Sequence, residues 1–135
     1  MIPFRVTLQP GASICEQVVY AAKKAIVAGQ MHPRDSFPSV RELSRSLKIN
    51  PNTAHKVVTQ LIAEGLLEVH PGLGTVVARY PSSSAAERAS LLKKDLEHLV
   101  VEAKKLGLDL DEVSDALAEH WSGLDQAFET PRRRP

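Results

Sequence analysis

A single cysteine, Cys15, stands among 135 residues. No internal disulfide and no multi-cysteine metal site can be built from it, and a reducing cytoplasm is the corresponding expectation. No apolar run approaches the roughly 18–20 residues that span a bilayer. The opening MIPFRVTLQPG lacks a basic stretch followed by a long apolar one, so neither a membrane partner nor a secretory signal is expected. His98 and His120 have no H-x-x-E or H-x-x-x-H partner, which argues against a metal site. No nucleophile, base and oxyanion donor assemble from the serines, most of which fall where helices need caps. An enzyme, a metal centre or a bound cofactor is therefore not expected.

What is present is uneven. The net charge of +1 hides a basic front and an acidic back. Residues 1–80 carry nine Lys/Arg against five Asp/Glu, a net of +4, and residues 81–135 carry eight against eleven, a net of −3. A basic half points to a polyanionic partner.

Capping patterns and apolar spacing divide the chain. Ser13 and Glu16 form an S-x-x-E box. Ile14, Val18, Ala21, Ala22, Ala25 and Ile26 follow at helical spacing, and Gly29 supplies a left-handed stop, so a helix is expected over about 14–28. Pro33 and Pro38 bound a loop with a short strand around Ser36 and Phe37. Ser39 and Glu42 open a second helix at 40–47, faced by Val40, Leu43 and Leu47. Asn50 is a good cap and Pro51 suits the first helical position. The third helix then runs to Glu64 with a buried stripe of Ala54, Val57, Val58, Leu61 and Ile62. Leu66–Val69 and Thr75–Ala78 are β-prone runs around a hairpin turn at His70-Pro71-Gly72-Leu73-Gly74. The segment Phe4–Leu8 reads either as a short strand or as a packing arm.

Helix, short helix, tight turn, helix and hairpin is the order of a winged helix-turn-helix domain, expected here over residues 1–80. Such domains lay the second helix of the motif in the DNA major groove, with its first residues at the base edges. Helix 51–64 occupies that place. Asn52, His55 and Lys56 lie off its buried stripe and project outward. Asn can bond adenine bidentately, Lys can reach guanine or phosphate, and the helix N-terminus favours an anion. The plain alternative is that Asn50, Asn52 and Thr53 only cap and that Lys56 is a solvated charge. The surrounding order of elements favours the first reading.

The run FPSVRELSRSLKINPNTAHKVVTQLIAEGLLEVHPGLGTVV resembles the GntR family of bacterial transcription repressors. Their usual form has L-P-S-x-R-E-L-A, then I/V-N-x-N-T, E-x-E-G-L-I and R-x-G-x-G-T-F-V. Here Pro38-Ser39-Val40-Arg41-Glu42-Leu43, Asn50-Pro51-Asn52-Thr53, Ala63-Glu64-Gly65-Leu66 and Gly72-Leu73-Gly74-Thr75-Val76 stand in that order. The likeness spans about residues 13–78, and the short back end is most similar to the YtrA subgroup. Larger relatives append a further domain, for which this chain has no room. The resemblance implies DNA contacts from Ser39 and Arg41, from Asn50, Asn52, Thr53, His55 and Lys56, and from the wing tip Gly72, Leu73, Gly74 and Thr75. Two departures stand out. Arg34-Asp35-Ser36 replaces the family's Gly-Asp-Arg, so that arginine is lost at Ser36 while Arg34 offers a charge from a new position. The wing, commonly basic, offers only His70, so fewer phosphate contacts and a shallower salt dependence are expected there.

Pro81-Ser82-Ser83-Ser84 reads as a linker, 81–84. Beyond it Ser84 and Glu87 form another capping box. Leu92, Leu96, Leu99, Ala103 and Leu106 step by four and three, a heptad seam on a helix over 85–106 that Gly107 stops. Asp109 and Glu112 open a last helix over 110–124, whose apolar face holds Val113, Leu117, His120, Trp121 and Leu124. About 40 residues of paired helix bury too little to stand alone. A two-helix dimerisation region, 85–128, is therefore expected, with Leu92, Leu96, Leu99, Ala103, Leu106, Val113, Leu117 and Trp121 at the interface of a homodimer. Residues 129–135 read as a flexible tail.

The functional expectation is a cytoplasmic, sequence-specific DNA-binding regulator, a repressor, that binds an inverted repeat in double-stranded DNA as a homodimer. The alternative is a protein-interaction adaptor on a winged-helix shell with weak or lost DNA binding. YtrA-like proteins often accompany transporter genes, which implies an unidentified small-molecule effector or an envelope-stress input. A cleft between the two back helices is the most available place for such a ligand. Cys15 reads as a small, partly buried residue. Lys104, Lys105 and the Arg132–Arg134 cluster read as solvated charge.

Overall fold

In the computed structural model, residues 2–79 and 83–132 are described, with side chains up to Asp125. Pro81 and Ser82 of the expected linker, and residues 133–135 of the expected tail, lie outside them. The chain divides into two units, one holding the residues before Ser83 together with those after Gln126, and the other running from Ser83 to Gln126.

In the front unit α1 spans Ile14–Val27, α2 Val40–Leu47 and α3 Pro51–Ala63. Each starts where a side-chain acceptor meets orphan N–H groups. The Ser13 hydroxyl accepts from Glu16 N, the Ser39 hydroxyl from Glu42 N at 3.1 Å, and Asn50 Oδ1 from Asn52 N at 2.7 Å. Strand β1, Leu67–His70, pairs antiparallel with β2, Gly74–Val77, in the register Leu67 to Val77 and His70 to Gly74. The strands sit one residue from their expected places because His70 and Gly74 still pair, which shortens the turn to Pro71–Leu73. The short strand expected near Phe37 exists as a single bridge, Ser36 to Val76. Phe37 N donates to Thr75 O at 2.9 Å, and Val77 N to Asp35 O at 2.9 Å.

The core draws on every front element: Val18, Val19, Ala22 and Ala25 from α1, Leu43 from α2, Ala54, Val57, Val58 and Leu61 from α3, and Leu67 and Val77 from the hairpin. Two stripe assignments are corrected. Ile62 is exposed, since it lies one angular step beyond the stripe centred on Val58 and Leu61. On α1 the buried face is turned toward Val19, while Ile14 in the first turn is exposed and Ala21 and Ile26 are only half-buried. The N-terminal segment is an arm rather than a strand. Phe4 is 5% exposed and stacks on Phe37 with ring centroids 5.9 Å apart. The Gln17 amide clamps the arm's root by bonding Gln9 N, Gln9 O and Ala12 O.

Four helices end with the same backbone device, an N–H reaching back five residues while the residue before it turns left-handed. The bonds are Gln30 N to Ala25 O, Ile49 N to Ser44 O, Leu66 N to Leu61 O and Leu108 N to Ala103 O. The left-handed residue is Gly29, Gly65 and Gly107 in three of them, as the spacing predicts, but Lys48 (φ 57°) in α2. A second non-glycine with positive φ, Arg34 (75°), follows Pro33 in a turn closed by Asp35 N donating to His32 O at 3.0 Å. Each such residue costs roughly 1–2 kcal/mol relative to a relaxed backbone.

In the back unit α4, Ala85–Ser90, runs into a π turn, Leu91–Asp95, and then α5, Leu96–Lys105. Ser84 and Glu87 form the expected reciprocal capping box. The π turn was not expected. It adds a residue to one turn, so the step from Leu92 to Leu96 is not a regular heptad step. The last helix, α6, spans Leu110–Arg132, longer than its apolar pattern suggested, and opens with reciprocal bonds between Asp109 and Glu112 at 2.9 and 3.0 Å. No helix among the described residues is long and apolar enough to cross a membrane.

Candidate nucleic-acid interface

Helix α3 is two-faced. Ala54, Val57, Val58 and Leu61 are buried, while Asn52, His55, Lys56, Thr59 and Gln60 are exposed. Thr53 is intermediate. The first turn of α3 has no acid, and the helix contains none. Its orphan N–H groups therefore meet no local negative charge, and the neutral amide oxygen of Asn50 caps one of them. Asn50 is thus committed to capping, whereas the side chains of Asn52, His55 and Lys56 make no hydrogen bond or ion pair among the described residues.

Thr59 is a residue the sequence reading passed over. It follows Asn52 by seven positions, so it continues the same exposed stripe. The i+7 spacing could have found it. Gln60 shares that stripe but is occupied, donating to Glu64 Oε2 at 3.0 Å. Glu64 in turn takes Lys23 Nζ of α1 at 2.9 Å. The Lys23 and Gln60 hydrogen bonds hold the Glu64 carboxyl below the usual range.

On α2, Ser39 is exposed but its hydroxyl serves as cap, and Arg41 is exposed. Arg45 and Lys48 are exposed as well, and neither they nor Arg41 make an ion pair among the described residues. The turn from α2 to α3 is tied by Ser44, whose hydroxyl donates to Ile49 O at 2.6 Å. That bond fixes the angle between the helix carrying Arg41 and the helix carrying Lys56.

The hairpin leaves α3 directly at Gly65 and is braced from behind by segment 35–37. Gly72, Leu73 and Gly74 are exposed at its tip and Thr75 is half-buried. Gly72 and Gly74 have φ of 84° and 85°, and a methyl group at either would meet nothing within 4 Å. Their need for glycine is thus one of backbone conformation, which also leaves the tip bare. No Lys or Arg occurs from Val57 through Ala78. His70 lies 2.7 Å from Glu68, and this hydrogen bond keeps the Glu68 carboxyl below the usual range. The wing therefore carries an anion beside its one titratable cation, in line with the weakly charged wing read from HPGLG.

In the back unit, Ala103 is the one buried residue among those whose side chains are described. Leu92, Leu96, Leu99, Leu106, Leu117 and Trp121 are exposed, Leu106 at 70% and Trp121 at 71%, and Val113 is half-buried. An open groove on this unit is lined by Asp115, Ala118, Glu119, Ser122 and Gly123 of α6.

Three helices, a tight turn and a braced two-stranded hairpin make a winged helix-turn-helix protein with a two-helix appendage. Residues 14–77 match the family of bacterial regulatory proteins described as gntR. YtrA of Bacillus subtilis, an HTH-type transcriptional repressor, is 32% identical over 107 residues, covering 78% of this chain and 82% of YtrA. A transcriptional antiterminator from Listeria monocytogenes EGD-e superposes with a TM-score of 0.78 at 22% identity, covering 90% of this chain and 92% of its own. YtrA from Sulfolobus acidocaldarius, a GntR-family transcription factor, gives 0.58 at 24% identity, covering 73% and 98%. At these identities the two structures speak to the fold alone. The chain belongs to the gntR family of bacterial regulatory proteins, with a YtrA-like arrangement of a winged helix followed by short C-terminal helices.

Proposed function

We propose that this chain is a cytoplasmic DNA-binding repressor that acts as a homodimer on an inverted repeat, with α3 in the major groove and the 67–77 hairpin as its wing. The observation that carries the reading is the exposed stripe Asn52, His55, Lys56 on a helix without acid, at the end where base edges are read. Arg41 and the bare wing tip supply backbone contacts. Similarity to the repressor YtrA supports the sign of regulation.

The exposed apolar residues of the back unit support dimerisation. Each Leu buried against a second copy contributes roughly 1.5–3 kcal/mol, so four or five per chain outweigh the cost of association. Tethering two front units makes the second DNA contact intramolecular. Half-sites are then about one helical turn apart.

The test is fluorescence anisotropy on fragments selected from the source genome. Arg41→Ala and Lys56→Ala weaken binding and reduce its salt dependence; unchanged affinity and salt dependence in both would overturn the assignment. The hairpin without Lys or Arg favours a second reading, a protein-interaction adaptor. A specific inverted repeat recovered at low salt eliminates it. The proposal includes an unidentified small-molecule effector at the back unit, tested by thermal-shift screening; no stabilising ligand would leave that part without support.

A further inference from the structure

Two backbone positions in the front unit call for glycine and hold a cation instead. Lys48 is the left-handed residue that ends α2, the place Gly29, Gly65 and Gly107 fill after α1, α3 and α5. Arg34 follows Pro33 at the third position of a turn, where a φ of 75° favours glycine or asparagine. They are the only non-glycine residues with positive φ among the described residues. Both are exposed, and neither makes an ion pair among the described residues. A glycine at either site would relax the backbone; within the fold Lys48 has no ion-pair partner among the described residues, and Arg34 has only a weak attraction to Glu68, the last of the influences that lower that carboxyl.

Their places give the reason. Lys48 is two residues before the cap of α3, at the corner where α2 turns into the reading helix. Arg34 sits at the base of the wing, where its N–H donates to Val77 O at 2.8 Å. A helix in the major groove has a phosphate backbone on each side, and phosphate contacts fix its register and orientation.

We infer that Arg34 and Lys48 are phosphate-binding residues that grip the DNA backbone beside α3, one from the wing base and one from the α2–α3 corner, and that the left-handed backbone at both is tolerated because the charges are needed there. This rests on the DNA-binding reading above. It also explains the departure at Ser36: the cation absent there is supplied from Arg34, on the same segment that braces the wing. With no Lys or Arg in the hairpin itself, Arg34 supplies a backbone contact at the wing base, where Arg79 is also exposed.

The experiment substitutes glycine, which removes charge and strain together. Arg34→Gly and Lys48→Gly are compared with wild type, Lys48→Arg, Lys56→Ala and the back-unit control Lys104→Ala. Thermal unfolding and affinity for a mixed-sequence DNA duplex are measured across a salt series. The expected result is a melting temperature that is unchanged or raised in both glycine variants. The slope of log affinity against log salt falls by about 0.9 for each, which makes the affinity lost between about 50 and 200 mM salt roughly three- to fourfold smaller. Lys48→Arg and Lys104→Ala keep the wild-type slope. Glycine variants that melt higher but bind with unaltered slope would overturn the inference, as would a lowered melting temperature, since glycine then relieves nothing. If Lys56→Ala loses slope while both glycine variants keep it, only this inference fails. Wild-type protein with no salt-dependent DNA binding defeats the functional reading itself.

Discussion

Phe37 donates its backbone N–H to Thr75 O at 2.9 Å, which ties the segment entering α2 to the second strand of the hairpin. One residue on, Pro38 leads into Ser39, the cap of the helix that carries Arg41. The wing and the first helix of the motif are therefore one mechanical piece. The ring of Phe37 faces the other way, onto Phe4 of the N-terminal arm.

That stack makes the arm part of the domain. Phe4→Ala is expected to lower stability by about 3 kcal/mol, because a buried aromatic is removed from a packed core. Urea unfolding checks it. A loss below roughly 0.5 kcal/mol, the scale of surface substitutions, would mean the arm is not docked in solution.

Asn50 and Asn52 separate capping from recognition. Asn50→Ala is expected to cost about 1 kcal/mol of stability, since the Asn52 N–H loses its acceptor. Asn52→Ala is expected to leave stability within about 0.5 kcal/mol while weakening specific DNA binding by about 1–3 kcal/mol. Denaturation and anisotropy on the same samples check the pair. The reverse pattern would assign the two asparagines the opposite roles.

The Lys23–Glu64–Gln60 link has a pH signature. The folded-state carboxyl of Glu64 is held below its ordinary value of 4.5, first by the hydrogen bond from Lys23. Its contribution is thus present above that value and is lost as pH falls through the lowered one. Both partners are partly solvated, so Glu64→Gln is expected to cost only about 0.2–1 kcal/mol at neutral pH. The difference from wild type should vanish in acid. A cost that grows on acidification would contradict this assignment.

The back unit is expected to depend on its second copy. Leu99→Asp combined with Trp121→Asp should give a monomer by sedimentation, with the front unit still folded and DNA affinity reduced at least tenfold, the scale of losing a linked second contact. A dimer that survives both changes would move the interface elsewhere.

Much of this was legible in the sequence where local chemistry decides. Ser13, Ser39, Asn50, Ser84 and Asp109 each announced a helix start, because a side-chain acceptor before an apolar pattern has few other uses. Gly29, Gly65 and Gly107 announced the stops. What depends on neighbours was less legible. Val19 rather than Ile14 is buried because the faces packed on α1 choose the stripe, and periodicity alone leaves a tolerance of one angular step. Phe4 could not be placed without knowing where Phe37 lies. Lys48 hid as ordinary surface charge, and Arg34 stood out only as a displaced charge, since nothing in a basic side chain reveals a left-handed backbone. The π turn in Leu91–Asp95 interrupts a leucine spacing that looked regular. On the candidate site, the sequence located the outward stripe of α3 but stopped at Lys56, one turn short of Thr59.

Guanine protection on a genome-selected operator tests the central claim most directly. Protein bound with α3 in the major groove should shield guanine N7 atoms in two sets related by two-fold symmetry, about one helical turn apart. Lys56→Ala should weaken both sets together. Full reactivity of every guanine at saturating protein, or one unrepeated protected patch, would contradict it.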